Sequence, residues 1–208
     1  MLKRSAPEVR GAHCSSSVVP TRFASRALIA AVAFASIAAS PQVRADSQKR
    51  DFQNWQGRHV ADFTLRDVDN NPLRLSSLRG KIVFLHFFAT WCEPCREELP
   101  ALNRLVERSQ SRKISVVAIS VAEVPDRVRR FLEKEGLTPT FPVLLDQDRA
   151  VTKNWGVQIL PSTIVLDRKL APRLVVASDY AWDNLDLDRL VARLSGPRTA
   201  STIRIGKS

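Results

Sequence analysis

The chain has 208 residues, of which 44% are hydrophobic and 25% charged, and it carries a formal net charge of +11 at pH 7. That length accommodates one ordinary domain with appendages, and the composition is typical of a globular protein rather than of a disordered or fibrous one. Because no recognised nucleic-acid-binding motif accompanies the positive charge, we expect a solvated basic surface and no nucleic-acid partner.

The first 45 residues have the pattern of a secretory signal. Basic residues precede an uncharged apolar run at 27–39, and Val43-Arg44-Ala45 supplies the small-x-small pattern that signal peptidase requires. We therefore expect residues 1–45 to be a signal peptide, cleaved after Ala45, and the remainder to be exported to the periplasm. The alternative is an uncleaved membrane anchor, although the run is short against the ~20 apolar residues needed to span hydrocarbon.

Beyond the signal, hydrophobic patterning predicts strands and helices along a single domain at 61–194. We expect 46–60 to form an N-terminal linker and 195–208, which lacks apolar periodicity, to form a flexible basic tail. The predicted strands are 62–66, 73–75, 81–88, 114–120, 141–145, 163–166 and 174–176, and the predicted helices are 95–109, 126–135 and 185–194.

Two cysteines, Cys92 and Cys95, fall where the buried strand 81–88 meets the helix 95–109. Unpaired backbone N–H groups and the helix dipole favour negative charge at a helix N-terminus, so the pKa of a thiol there is lowered. Because Cys92 comes before the helix and Cys95 lies one turn further in, we expect Cys92 to attack a disulfide and Cys95 to resolve the product. This pattern predicts redox chemistry.

A purely structural disulfide and a metal site explain the two cysteines less well. A structural disulfide that closes so small a loop would constrain the unfolded chain little. A tetrahedral zinc site needs four ligands, and the exported part of the chain adds only His59 and His86, in separate segments. We therefore expect neither a metal centre nor a cofactor.

The segment Trp91-Cys92-Glu93-Pro94-Cys95, followed by Pro100 within the helix, resembles the active-site region of the thioredoxin fold. The longer stretch 62–105 resembles more closely the exported TlpA/ResA/CcmG branch of bacterial thiol-disulfide proteins. The resemblance implies an α/β, thioredoxin-like fold in which helices flank a central mixed β-sheet. It also implies an N-terminal β-hairpin and a central insertion at 137–155.

The resemblance also implies roles for individual residues. Cys92 and Cys95 would form the redox-active disulfide, Glu98 would act beside Cys95, and the proline of Leu160-Pro161 would be cis and face the disulfide. The residues expected to dock the substrate are Trp91, Glu93, Pro94 and Leu160.

One residue departs from the family pattern within the buried strand. His86 stands where thioredoxins bury an aspartate, six residues before the first cysteine. It would act either as a proton shuttle for the resolving thiol, as its unperturbed pKa of ~6.5 allows, or as a hydrogen-bonded core histidine. The sequence leaves both hypotheses open.

The predicted activity is that of an exported protein-disulfide reductase. Glu93 places negative charge beside Cys92, which raises the pKa of the thiol and favours a reducing couple. By resemblance, the clients are the cysteines of apocytochrome c or of an oxidase copper centre, and the electron donor is a membrane thiol-transfer protein of the DsbD/CcdA type. The alternatives are a disulfide oxidant or isomerase and a non-catalytic copper or haem-assembly chaperone.

Overall fold

The computed structural model describes residues 51–57 and 61–196. The predicted signal peptide, 1–45, lies outside the described residues, as does 197–208 of the predicted tail. Within them, no helix is long and apolar enough to cross a membrane.

The described residues form a mixed, eight-stranded sheet whose order is β1-β8-β7-β4-β5-β6-β2-β3. Strands β4, β5 and β6 run parallel to one another, and the remaining neighbours pair antiparallel. The strands are β1 (Gln53–Asn54), β2 (Thr64–Asp67), β3 (Pro72–Arg74), β4 (Ile82–Phe88), β5 (Ile114–Val121), β6 (Val143–Asp146), β7 (Ser162–Leu166) and β8 (Pro172–Val176).

Strand β4 lies at the centre because both of its faces are apolar, as a strand buried on two sides requires. Its side chains alternate between the two faces, so that Phe84 and Phe88 pack into one hydrophobic cluster and Val83 and Leu85 into the other. His86 shares the face of Phe84 and Phe88. The core therefore consists of two layers, one on each side of the sheet.

Helices cover both layers. The first layer packs against α1 (Glu93–Ser109), α2 (Pro125–Lys134) and α4 (Leu187–Ser195), and the second packs against the short α3 (Ala150–Asn154) and a 3₁₀ turn at Leu75–Leu78. A mixed sheet flanked by helices, with the antiparallel β2–β3 hairpin at one edge, confirms the predicted thioredoxin-like α/β fold.

One strand and one α-helix were not predicted. Strand β1 falls within the predicted linker 46–60, where it pairs with β8 and follows the buried Phe52. Helix α3 lies within the predicted insertion. A strand of two residues and a helix of five are too short to generate a hydrophobic period, so tertiary contacts rather than local pattern define them.

Candidate active site

The cysteine pair lies where β4 passes into α1. A turn spans Ala89–Cys92, closed by the Cys92 N–H that donates to the Ala89 carbonyl at 3.1 Å. Cys92 is the N-cap residue of α1, and a disulfide joins it to Cys95 with an S–S distance of 2.04 Å. Cys92 is 6% exposed and Cys95 is fully buried. The sulfur of Cys92 is therefore the one closer to solvent.

Helix α1 begins at Glu93, two residues earlier than the predicted start at Cys95. Pro94 explains the difference, since a proline is tolerated in the first turn of a helix, where its missing N–H has no intrahelical partner in any case. The earlier start places Cys95 within the first turn. Both sulfurs thus lie at the positive end of the helix dipole, where a thiolate is favoured.

The surface around the disulfide is partly apolar. Trp91 is 66% exposed, and the exposed Pro94 follows the first cysteine. Leu160 is half-buried, the Leu160–Pro161 peptide bond is cis as the resemblance implies, and Pro161 is buried. An exposed tryptophan beside a reactive disulfide suits a docking surface, although the docking role of these residues stays a prediction.

Glu93 is paired with a guanidinium group of its own helix. Its exposed carboxylate pairs with Arg96 at 3.2 Å, and the other guanidinium nitrogen of Arg96 lies 2.6 Å from Glu135, at the end of α2. An exposed carboxylate that is paired with a guanidinium repels a neighbouring thiolate less than an unpaired one. The effect of Glu93 on Cys92 is therefore smaller than the sequence alone suggests.

Glu98 is a buried carboxyl group one helical turn beyond Cys95. Its Oε1 accepts a hydrogen bond from the backbone N–H of Tyr180, whereas its Oε2 is buried near the Trp182 side chain and lies 3.6 Å from His86 Nδ1. Burial raises the pKa of Glu98 to about 7, and the Tyr180 N–H opposes that rise. A carboxyl group with this pKa both accepts and releases a proton near neutral pH.

His86 lies next to Glu98 but is a poorer base. Its Nδ1 is 2.9 Å from the Thr163 hydroxyl and 3.6 Å from Glu98 Oε2, and its ring stacks on Phe88 and meets Trp182 edge-on. Burial lowers the pKa of His86 to about 3, so the ring is neutral at physiological pH. The contacts are those of a hydrogen-bonded core histidine.

Surface contacts hold the loop that covers Glu98. Arg104 on α1 makes two hydrogen bonds to Asp183, at 2.9 and 2.7 Å, and Arg108 donates to the Trp182 carbonyl at 2.8 Å. The segment that supplies the Tyr180 N–H is thereby tied to the helix that bears the cysteines. A cavity of about 620 Å³ lies beside this segment, with Glu98 and Pro94 in its lining.

A second buried carboxylate, Glu123, was missed by the sequence analysis. It follows β5 and accepts hydrogen bonds from the Thr90 N–H at 2.9 Å and the Thr90 hydroxyl at 2.5 Å. Thr90 lies within the turn that leads to Cys92. The sequence does contain an indication of this contact. Parallel neighbouring strands end at the same edge of a sheet, and Glu123 is an acidic residue just after β5, the parallel neighbour of β4.

The sequence-predicted site residues fall into two groups around the start of α1, and a third group, Leu160 and Pro161, directly precedes β7. Cys92, Cys95, Glu98 and His86 share the region between β4 and α1, whereas Trp91, Glu93 and Pro94 lie on the surface above it. Among residues 51–57 and 61–196, no group of three or more His, Cys, Asp or Glu side chains could hold a metal ion. The arrangement is able to exchange thiols for disulfides and to move a proton at Glu98.

Comparison with known proteins agrees with this chemistry. The model of the AhpC/TSA family matches residues 56–171. The chain is 38% identical over 129 residues to "Thiol-disulfide oxidoreductase ResA" of Geobacillus thermodenitrificans, covering 62% of this chain and 73% of the relative. It is 37% identical over 112 residues to the protein of the same name from Bacillus subtilis, covering 54% of this chain and 62% of the relative.

A solved structure provides a further likeness. It is a "thiol:disulfide interchange protein, thioredoxin family protein" from Chlorobium tepidum, with 26% sequence identity and a TM-score of 0.55. The alignment covers 69% of this chain and all of the Chlorobium protein.

Proposed function

Because the chain belongs to the AhpC/TSA family and is a thiol-disulfide oxidoreductase of the thioredoxin type, we propose that it reduces protein disulfides outside the cytoplasm. The observation that carries the proposal is the Cys92–Cys95 disulfide at the N-terminus of α1, one turn before the buried carboxyl group of Glu98. The dithiol supplies the two electrons, and the carboxyl group accepts a proton.

In the first step, the Cys92 thiolate attacks one sulfur of a client disulfide. A bond forms between Cys92 Sγ and that sulfur while the client S–S bond breaks, and the second client sulfur leaves as a thiolate that takes up a proton. Cys92 is suited to this step because it is the more exposed of the two sulfurs and lies at the N-cap of α1. The product is a mixed disulfide.

In the second step, Cys95 loses its proton and attacks Cys92 Sγ. The intramolecular disulfide forms, the mixed disulfide breaks, and the client leaves with its second thiol, so that two electrons have passed from protein to client. We assign the proton of Cys95 to Glu98 rather than to His86. Glu98 has a pKa of about 7, whereas the His86 ring, with a pKa of about 3, is too weak a base.

We further propose that the protein acts in the periplasm and receives electrons through the membrane. The basic start and apolar run of residues 1–45 support export. An oxidising compartment would leave the disulfide permanently formed without a supply of electrons, which a thiol-transfer protein of the DsbD/CcdA type would provide. The resemblance to the ResA branch favours apocytochrome c, or the cysteines of an oxidase copper centre, as clients.

The reduction potential tests the direction of electron flow. We expect a value nearer to the ~−270 mV of thioredoxin than to the ~−120 mV of a strong periplasmic oxidant. Equilibration with glutathione or dithiothreitol at defined ratios, followed by trapping of free thiols, measures it. A value above about −180 mV, the region of disulfide isomerases, would overturn the reductase proposal.

Glu93→His removes a negative charge beside Cys92, so its reduction potential, measured in the same way, should be more oxidising than that of the wild-type protein. The shift should be modest, because Arg96 already pairs with the Glu93 carboxylate. Glu97→His, a change of the same kind at an exposed position further along α1, is the matched control. A shift as large for Glu97→His as for Glu93→His would mean that the charge beside Cys92 has no special effect.

One observation favours the oxidant as a second candidate function. The ion pair between Arg96 and Glu93 reduces the repulsion on which the reducing assignment partly depends, and both sulfurs lie at the positive end of a helix. The same residues would then run the two steps in reverse, with the client dithiol attacking the Cys92–Cys95 disulfide. The potential measurement distinguishes the two directions.

A further inference from the structure

Glu123 contacts the turn that carries the nucleophilic cysteine from the neighbouring strand. The Ala89–Cys92 turn uses its first carbonyl and last N–H to close itself, which leaves the N–H of Thr90 without a partner inside the turn. Glu123 Oε2 accepts that N–H at 2.9 Å, and Oε1 accepts the Thr90 hydroxyl at 2.5 Å. One carboxylate thus binds both donors of Thr90.

The same carboxylate is held on its other side. The hydroxyl of Ser120, in β5, donates to Oε2 at 2.7 Å, and Arg127 Nε, on α2, lies 3.2 Å from Oε1. Both oxygens act only as acceptors, as those of an ionised carboxylate do. Glu123 therefore connects the turn to β5 and α2, which lie about thirty residues further along the chain than the turn.

Two features of this arrangement are costly for a purely structural contact. Glu123 is only 4% exposed, and the burial of a charge is unfavourable unless it is paired and hydrogen-bonded. The preceding residue, Ala122, has a φ of 60°, a conformation that residues other than glycine rarely adopt. Backbone strain of this kind concentrates at functional sites, where the surrounding structure maintains it.

We propose that Glu123 is a positioning residue for thiol-disulfide exchange: it holds the Ala89–Cys92 turn in place, and its negative charge, offset by Arg127, sets how readily Cys92 becomes a thiolate. The inference rests on the proposed role of Cys92 as the attacking thiol. Glu93 and Arg96, on α1, and Glu135, at the end of α2, form ion pairs near the same end of α1. The Glu93 side chain is exposed and those of Arg96 and Glu135 are partly exposed, whereas Glu123 is buried beneath the turn.

The test is the pKa of the Cys92 thiol in the full chain that carries Cys95→Ser, which leaves Cys92 as the single cysteine of its tryptic peptide. The rate of alkylation by iodoacetamide as a function of pH gives the pKa, and mass spectrometry separates this peptide from the one that contains Cys14. We expect Glu123→Gln to lower the pKa by about half a unit or more and Arg127→Gln to raise it. Changes of opposite sign distinguish an electrostatic role from a loss of packing.

Matched controls lie on the same helix. Asp126→Asn removes an exposed carboxylate and Arg130→Gln an exposed guanidinium, and neither should shift the pKa of Cys92. Shifts of the same sign in Glu123→Gln and Arg127→Gln, or none in either, would overturn the inference. If Glu123→Gln fails to fold, the pKa of Cys92 in Arg127→Gln alone decides whether the inference holds. Arg127 is largely exposed, so its loss should be tolerated.

Failure of the proposed function would look different. In the reduced protein with both cysteines present, alkylation of Cys92 no faster than that of Cys95, assigned by fragmentation of the shared peptide, would contradict the role of Cys92 itself. If Cys92 is the faster thiol but the two variants leave its pKa unchanged, only the assignment of Glu123 falls.

Discussion

Replacement of Cys92 by serine will abolish the reduction of protein disulfides, with a loss of at least about a thousandfold, because the remaining sulfur of the site, that of Cys95, is fully buried. Replacement of Cys95 by serine will leave the first step intact and block the second, so mixed disulfides with clients will accumulate. Activity against a model protein disulfide, together with non-reducing electrophoresis, measures both outcomes.

Cys14→Ser is the control for these two variants, since Cys14 is the third cysteine of the chain and lies in the predicted signal. It should leave activity unchanged. Accumulation of mixed disulfides in Cys92→Ser rather than in Cys95→Ser would reverse the assigned order of attack. The proteins captured by Cys95→Ser would also identify the clients, which tests the proposed link to apocytochrome c and oxidase copper centres.

Glu98→Gln will change the stability of the oxidised protein in a pH-dependent way. The pKa of Glu98 is raised from its ordinary value of 4.5 to about 7, so the folded state holds this proton more tightly than the unfolded state. The wild-type protein therefore loses stability, relative to the variant, as pH rises from about 4.5 to about 7, and the difference is constant above that. The shift corresponds to about 3 kcal/mol.

Urea unfolding of both proteins at pH 4 and pH 8 measures this difference. The amide carbonyl that Glu98→Gln introduces can still accept the Tyr180 N–H, so the comparison isolates the ionisation. A stability difference that is independent of pH would contradict a raised pKa for Glu98.

The same variant should slow the resolution of mixed disulfides at pH 7 by at least about tenfold, because the proton of Cys95 loses its acceptor. Glu97→Gln, a change of the same kind at the exposed neighbouring residue, is the control and should leave that rate unchanged. If Glu98→Gln resolves mixed disulfides at the normal rate, Glu98 is not the acceptor of the Cys95 proton, and solvent or His86 must accept it.

The sequence alone predicts the parts of this fold that are long or strongly patterned. Strand β4 and helix α1 carry continuous apolar or periodic residues, and the cysteine pair lies between them, so the reactive centre follows from local pattern. The predicted start of α1 is two residues late, because Pro94 lies inside the first turn of the helix, where a proline is tolerated. That error left the order of the two cysteines unchanged.

The surroundings of the cysteines could not be predicted in the same way. His86 meets Thr163, 77 residues away, because β7 pairs with β4 in one register. Glu98 meets the Tyr180 N–H, 82 residues along the chain, because the segment that follows β8 packs against α1. Local periodicity carries no information about such contacts. The perturbed pKa values of Glu98 and His86, which decide the proposed proton acceptor, arise from this tertiary burial.

The edges of the sheet bear on how the protein meets unfolded clients. The outermost strands, β1 and β3, contain two and three residues, and β3 begins with Pro72, which has no backbone N–H to offer. A long, flat edge would invite an extended client chain to add itself as a further strand. Edges this short give such a chain little to pair with, so the edges of the sheet contribute few backbone contacts to a client that is held through Cys92.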